Sequence, residues 1–167
     1  MRRTSLVLAP LPPPAIVPAC ATSPGDSGGR SGPAAMPFFI TSANAGRGAD
    51  FGGLEGADRH CRVLAQRAGS PRTNWRAYLS TQGGPGGVAH ARDRIGRGPW
   101  HNVRGDLIAR NVDELHGNNG LTKQTALTEK GEIVSGSGDA VNMHDILTGS
   151  TPEGRPVSDG KDNTCGN

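Results

Sequence analysis

Aromatic and apolar residues are scarce in this chain of 167 residues. Phe, Trp and Tyr together make up 4% of it, and all hydrophobic residues only 34%. There is no run of about 18 apolar residues, so the sequence predicts no membrane-spanning helix. Gly (26) and Pro (13), which favour turns, are plentiful instead. The composition therefore predicts one loop-rich domain with a modest core and a short appendage.

Charge of one sign is not in large excess either. The chain has 18 Lys and Arg against 15 Asp and Glu, a net charge of +3 and a pI of about 9.1. A nucleic-acid-binding domain usually concentrates its positive charge on one face, whereas Arg and Asp alternate closely here. Nucleic acid is therefore not an expected partner, and the sequence carries no signal for an oligomeric state.

The N-terminus has the features of an export leader. A basic pair, Arg2-Arg3, precedes an apolar stretch, and Val17-Pro18-Ala19-Cys20 is similar to the cleavage box of a bacterial lipoprotein. In this interpretation residues 1–20 form a leader, Cys20 is lipidated, and the protein is secreted or anchored in the cell envelope. Several prolines disrupt the apolar helix that a leader needs. The alternative is therefore translation from Met36, which leaves the protein in the cytoplasm.

Cysteine is limited to three positions, Cys20, Cys61 and Cys165. An odd number indicates either one cysteine with a special role or a missing partner. Residues 21–36 are predicted to form a linker, because Gly, Ser and Pro dominate them without periodicity. Ordered structure is expected to begin at Pro37 with an aromatic, strand-forming run. The folded domain is thus predicted over residues 37–167.

One main helix is predicted over Leu54–Ala68. Apolar residues recur there at intervals of three and four, which places Ala57, Cys61 and Leu64 on one face. Gly69 marks the end of the helix. The remaining predicted elements are short. They are strands over Asn74–Ser80, Leu107–Ala109 and Asn142–Gly149, a hairpin of Ala126–Thr128 with Glu132–Val134, a helical turn over Asn111–His116, and a turn-rich connection over Ala91–Gly98 followed by a buried Trp100.

A series of short sequence motifs in a fixed order runs through the predicted domain. They are Phe38–Ser42, Gly48–Asp58 with Cys61, Trp75–Thr81, Ala91–Gly96 with Gly98–Trp100, Thr125–Glu129, His144–Ser150 and Thr164–Asn167. Together they resemble a bacterial lectin-like family that is distantly similar to the endostatin module of collagen and to C-type-lectin-like domains. The resemblance covers residues 37–167. It is specific because the motifs occur together in this order, whereas each motif alone is weak evidence for the family.

The resemblance implies an α+β fold of the C-type-lectin-like type, with a small antiparallel sheet, one main helix and long loops. In the family the pattern continues past the Cys-Gly-Asn motif with a Trp and two further cysteines. These would pair with Cys61 and Cys165 in a nested arrangement, so the resemblance implies a C-terminally truncated domain in which both partners are missing. A direct Cys61–Cys165 bond is the alternative, and it requires Cα atoms within about 7 Å.

Oxygen-bearing side chains cluster at Asp159, Asp162 and Asn163, where the ligand loop of such a domain begins. Calcium prefers oxygen ligands, so one interpretation is a weak calcium-dependent sugar site, and the other is a solvated turn. The Glu-Pro-Asn, Gln-Pro-Asp and Trp-Asn-Asp signatures of calcium-dependent lectins are absent. The five histidines show no metal-ligand spacing. Apart from calcium, no metal or other cofactor is expected.

A second candidate site consists of Arg92, Arg94 and Arg97. Guanidinium groups pair with sulfate and phosphate, and arginine patches bind heparin in endostatin, so these residues are candidates for holding an anionic polymer. The alternative is that they belong to the framework, because Asp93 neutralises part of the cluster.

The expected function is that of an exported lectin-like module that binds a glycan or a surface protein. The serines lack a Gly-x-Ser-x-Gly elbow, so no enzymatic activity is predicted. One alternative is a structural or protein-interaction module of the envelope that has the lectin fold and binds no sugar. Another alternative is a non-functional fragment.

Overall fold

The computed structural model describes residues 18–22, 37–45, 48, 50–83, 86–143 and 145–164. Some of the predictions lie partly or wholly outside these residues. The predicted leader is described only from Pro18 onward, the predicted linker only at Ala21 and Thr22, and Cys165 not at all. The statements below concern the described residues.

This part of the chain is mixed α and β, with short elements and long connections. The helices are Gly53–Arg67 (α1), Ala91–Arg94 (α2) and Val112–Leu115 (α3). The strands are Ala19–Thr22 (β1), Phe38–Ile40 (β2), Trp75–Ala77 (β3), Thr81–Gln82 (β4), Val88–Ala89 (β5), Trp100–His101 (β6) and Leu107–Ala109 (β7). They form one three-stranded sheet and two two-stranded sheets, and all pairs within these sheets are antiparallel. The predicted α+β class is confirmed at this level.

The three-stranded sheet has the order β2-β1-β3, so its central strand is the one nearest the N-terminus. Cys20 lies opposite Phe39 on one side and Ala77 on the other. The expectation that ordered structure begins at Pro37 is therefore wrong, and the predicted boundary between leader and linker falls inside β1. The four residues of β1, Ala19–Thr22, are small and show too little periodicity for the sequence to predict a strand there. In the fold they satisfy the backbone hydrogen bonds of two neighbouring strands.

Helix α1 confirms the predicted helix to within one residue at each end, and it packs against β3. Its buried face includes Ala57, Cys61 and Leu64, as the spacing predicts. Gly56 allows a close approach, because a Cβ atom there would lie 1.7 Å from the carbonyl oxygen of Phe51. The loop before the helix thus folds directly onto its first turn.

A disulfide joins Cys20 of β1 to Cys61 of α1, with 5.8 Å between their Cα atoms. Two predictions about these cysteines are thereby corrected. The partner of Cys61 comes from the N-terminal side of the chain and does not have to follow Asn167. A sulfur in a disulfide cannot also carry a thioether-linked lipid, so Cys20 is not a lipidation site in this structure.

The second half of the chain follows the predictions in part. Trp100 is buried, and the predicted hairpin forms a tight antiparallel turn in which the Thr128 N–H donates to the Glu132 carbonyl. The predicted connection after His90 contains α2, and the segment 142–149 forms no strand over its described residues. Among the described residues, no helix has the length and apolar character needed to cross a membrane.

Candidate functional site

The predicted arginine cluster lines an open depression of ≈ 420 Å³ at the surface. Its lining includes Arg92, Asp93, Arg94 and Arg97 from α2 and the turn after it, together with Asp113 from α3. The fold therefore brings all three predicted arginines to one place. Each of the three has a different environment, and this determines which of them is available to a ligand.

Arg94 is held from below by a buried carboxylate. Its Nη2 donates to Asp58 Oδ1 at 2.6 Å, while Arg76 Nη1 donates to Asp58 Oδ2 at 3.0 Å. The backbone N–H of Ala77 also donates to Oδ1, at 2.8 Å. Asp58 is only 5% exposed, and it thus ties α1, β3 and α2 together. Arg94 is first of all part of the framework, as the alternative interpretation of the cluster expected.

Arg92 is fixed at the side of the depression. Its Nη1 donates to the carbonyl oxygen of Glu153 at 3.1 Å, and its Nη2 lies 3.4 Å from Asp113 Oδ1. Its backbone N–H donates to the carbonyl oxygen of Gly154. These contacts set the orientation of the guanidinium group while leaving the side chain 21% exposed.

Arg97, Asp93 and Asp113 are the exposed charges of the depression. Within the described part of the chain, the Arg97 side chain takes part in no ion pair or hydrogen bond. Its guanidinium group is therefore free to bind an anion without first breaking a protein contact. Asp93 and Asp113 add negative charge to the same lining, and Asp113 pairs with Arg92. The depression therefore favours ligands whose acidic groups can reach Arg97 while avoiding both carboxylates.

A Tyr–His pair, which was not among the predicted site residues, lies close to Arg92. The Tyr78 hydroxyl donates to His116 Nε2 at 2.8 Å, and His116 Nδ1–H donates to the carbonyl oxygen of Val112 at 2.6 Å. Gly154 packs closely against both His116 and Arg92. A Cβ atom at this position would lie 2.3 Å from His116 Nε2 and 2.9 Å from Arg92 Cβ. Burial raises the pKa of Tyr78 to about 12. The pair supports the wall of the depression, and no sequence motif indicated it.

The other predicted site, Asp159, Asp162 and Asn163, is a turn that is closed by its own hydrogen bonds. Asp159 Oδ1 accepts from the Lys161 N–H at 3.0 Å and from Asn163 Nδ2 at 2.8 Å, and Asp162 Oδ1 accepts from the Thr164 N–H at 2.9 Å. Carboxylate oxygens in such turns replace backbone acceptors. This geometry agrees with the interpretation as a turn.

Gln82 anchors this turn to β4, and no sequence pattern predicted this attachment. Its Nε2 donates to the carbonyl oxygens of Val157 and Lys161, and its Oε1 accepts from the Asn163 N–H at 2.6 Å. Among the described residues, no group of three or more His, Cys, Asp or Glu side chains is placed to hold a metal ion. The predicted calcium site remains a prediction.

The depression can bind, orient and neutralise an acidic group. Guanidinium groups donate paired hydrogen bonds in a plane, which fits carboxylate, sulfate and phosphate. Comparisons of the chain with protein-family models, with curated proteins and with solved structures gave no match. The resemblance to the lectin-like family therefore depends on the sequence motifs alone, and any inference of a function depends on the geometry of the depression.

Proposed function

We propose that this chain is an exported lectin-like binding module, and that its ligand is a glycan bearing acidic groups held at the arginine depression. The observation that carries the proposal is the exposed guanidinium of Arg97 beside two arginines whose positions are already fixed. A site arranged in advance loses little conformational freedom on binding. The proposed activity is binding alone, without chemical conversion of the ligand.

The lining of the depression supports a charged ligand over a neutral one. Sites for small apolar ligands are usually lined by hydrophobic and aromatic side chains. All three Phe and both Trp residues of this chain are buried, and the single Tyr donates its hydroxyl to His116. Recognition by charge and hydrogen bonds is therefore the mode that this surface favours. Such pairing requires no metal, so binding is expected to persist in the presence of a chelator.

The proposed fold type and location have separate support. A single main helix packed on a small antiparallel sheet, with long loops, is compatible with a C-type-lectin-like fold. The Cys20–Cys61 disulfide favours an oxidising compartment outside the cytoplasm. Because Cys20 is engaged in this bond, the proposal includes secretion and does not include a lipid anchor at that residue.

The test compares Arg97→Ala with Arg59→Ala. Arg59 is an exposed arginine on α1, outside the depression, so both variants lose the same charge. Titration with a sulfated oligosaccharide and with its desulfated form, in calorimetry at fixed salt, is expected to show binding of the sulfated form only. Arg97→Ala should weaken it about tenfold, the value of one charge-assisted hydrogen bond, while Arg59→Ala should change it less than about twofold.

Equal losses in both variants would mean non-specific attraction by net charge and would contradict the proposed site. If neither acidic nor neutral glycans bind, the proposal that the ligand is a glycan is wrong. A single protein partner, recovered in a pull-down that neither chelator nor free sugar disturbs, would instead support the protein-interaction alternative. Fold alone does not decide between these functions.

A further inference from the structure

The arginine depression carries charges of both signs. Three arginines and two aspartates line it, and the buried Asp58 carboxylate offsets much of the charge of Arg94. Asp58 also accepts from Arg76, whose side chain is 44% exposed. Because nearby opposite charges largely cancel at a distance in salt solution, the depression exerts little net attraction on a polyanion. Its selectivity therefore depends on short-range contacts with individual groups of the ligand.

Two carboxylates of the lining are available to a ligand. The Asp113 side chain is 95% exposed, and among the described residues its carboxylate contacts only Arg92, at 3.4 Å through Oδ1. This distance is long for a hydrogen bond between charged groups. The Asp93 side chain is also exposed, and it takes part in no hydrogen bond or ion pair within the same residues. Both carboxylates can thus accept hydrogen bonds from a cation without breaking a strong contact.

The exposed cation and the two carboxylates line one small volume. Arg97 lies in the turn after α2, Asp93 in α2 and Asp113 in α3, and the ≈ 420 Å³ between them is within the usual range of small-molecule sites. A guanidinium group donates paired hydrogen bonds to an acidic group, whereas carboxylates accept the three hydrogens of an ammonium group. One sugar that bears both an acidic and an ammonium group would satisfy both kinds of side chain.

We propose that the glycan held at the arginine depression contains an amino sugar that is not N-acetylated and that also carries an acidic substituent. The acidic substituent binds Arg97, and the protonated amine binds Asp93 and Asp113. This inference rests on the proposed function, since it names the class of glycan for that site. In a site for a polyanion both carboxylates would only repel the ligand, whereas a zwitterionic sugar gives each charge a partner.

The test compares three sugars that differ in one charged group. Glucosamine 6-sulfate has both charges, glucose 6-sulfate has a hydroxyl in place of the ammonium group, and glucosamine lacks the sulfate. The full chain is titrated with each at about pH 6, where the amine is protonated and the aspartates are ionised, and ¹H–¹⁵N chemical-shift changes give the dissociation constants. Glucosamine 6-sulfate should bind about three- to fivefold more tightly than glucose 6-sulfate, the value of one exposed ion pair. It should bind about tenfold more tightly than glucosamine, which cannot pair with Arg97.

The double variant Asp93→Asn, Asp113→Asn should weaken the binding of glucosamine 6-sulfate and strengthen that of glucose 6-sulfate, because it removes both the partner of the amine and the repulsion of the sulfate. Neither a loss of folded protein nor a change in net charge shifts these two ligands in opposite directions. The control is Glu55→Gln, Glu132→Gln, which removes two exposed carboxylates outside the lining and should leave the order of the ligands unchanged.

Two results would overturn the inference. If glucose 6-sulfate binds as tightly as glucosamine 6-sulfate, and Arg97→Ala weakens both, then the amine has no site while the proposed function stands. If glucosamine 6-sulfate does not bind at all, the inference is also wrong, and the titration with the sulfated oligosaccharide then decides separately whether the proposed function holds.

Discussion

The two ends of the described chain are stabilised in different ways. The helix–sheet region, which consists of β1, β2, α1 and β3, has a continuous backbone ladder, a disulfide and a cluster of buried side chains around Trp75. The loop region, residues 120–164, has only isolated bridges over its described residues. Hydrogen bonds from side chains to the backbone replace the ladder there.

The loop region is attached to the rest of the molecule at a few defined positions. The Ile40 N–H donates to the Leu127 carbonyl, and the Ser42 hydroxyl donates to the buried Glu129 carboxylate at 2.5 Å. Gln82 makes the corresponding attachment for the turn at Asp159. The comparison shows that one chain combines a cooperative core with loops whose shape depends on single polar contacts. Substitutions should therefore have large effects in the first region and local effects in the second.

The largest expected effect is the loss of the Cys20–Cys61 disulfide. The bond joins residues 41 apart in sequence, and in the chain-entropy treatment a loop of this length contributes about 4 kcal/mol. The double variant Cys20→Ala, Cys61→Ala should lose about this free energy of unfolding, as measured by urea titration. The control is Cys165→Ala, which keeps the bond. An equally large loss in this control would contradict the assigned role of the Cys20–Cys61 pair.

A smaller effect is expected from removing the same charge in each region. Asp58→Asn keeps an acceptor for the Ala77 N–H but leaves Arg76 and Arg94 without their carboxylate. Since the Arg76 side chain is 44% exposed and can turn to water, the loss should be about 2–3 kcal/mol. Asp159→Asn retains the acceptor of an exposed turn and should change the free energy of unfolding by less than about 0.5 kcal/mol.

The urea concentration at the midpoint of unfolding, compared at an unchanged m-value, measures the loss of stability in both variants. If the two midpoints shift equally, the distinction between a cooperative region and a locally bonded region is wrong. If Asp58→Asn also weakens ligand binding, while Asp159→Asn does not, then Asp58 positions Arg94 for the depression.

The smallest expected effect concerns Tyr78, whose hydroxyl donates to His116, which in turn donates to the carbonyl oxygen of Val112 in the lining of the depression. Its pKa is raised to about 12 by burial, so the folded state holds the proton more tightly than the unfolded state. The stabilisation is fully present below pH 10 and is lost as the pH rises towards 12. Tyr78 is the single tyrosine of the chain, so phenolate absorbance follows it directly.

The expected midpoint is near 12 in the folded protein and about 10 in urea. Tyr78→Phe should remove the alkaline decline of stability between these values. An ionisation midpoint near 10 in the folded protein would mean that the Tyr78 hydroxyl is solvated and that the Tyr–His contact does not persist in solution.

The regular elements of the helix–sheet region were largely predictable, with β1 as the exception. The spacing of apolar residues predicts α1 closely, and the aromatic runs at Phe38 and Trp75 predict β2 and β3, because these patterns reflect which face is buried. The loop region was harder, since the segment 142–149 has strand-like composition but its described residues bond to the rest of the chain through single contacts, such as those of the Met143 N–H with Ser135 and of the Ser80 N–H with Thr148. Of the candidate site, the three arginines were predicted, while the Tyr78–His116 pair was not.

Local sequence patterns by themselves determined the main helix with its buried face and the arginine cluster, because each depends on residues close together in sequence, while the α+β class was implied by the family resemblance. Only the tertiary structure decided that β1 is the central strand and that Cys20 bonds Cys61. It also decided that Asp58 occupies Arg94 while Arg97 stays exposed. These features join residues far apart in sequence, where local patterns carry no information and the pairing depends on the complete packing of the fold.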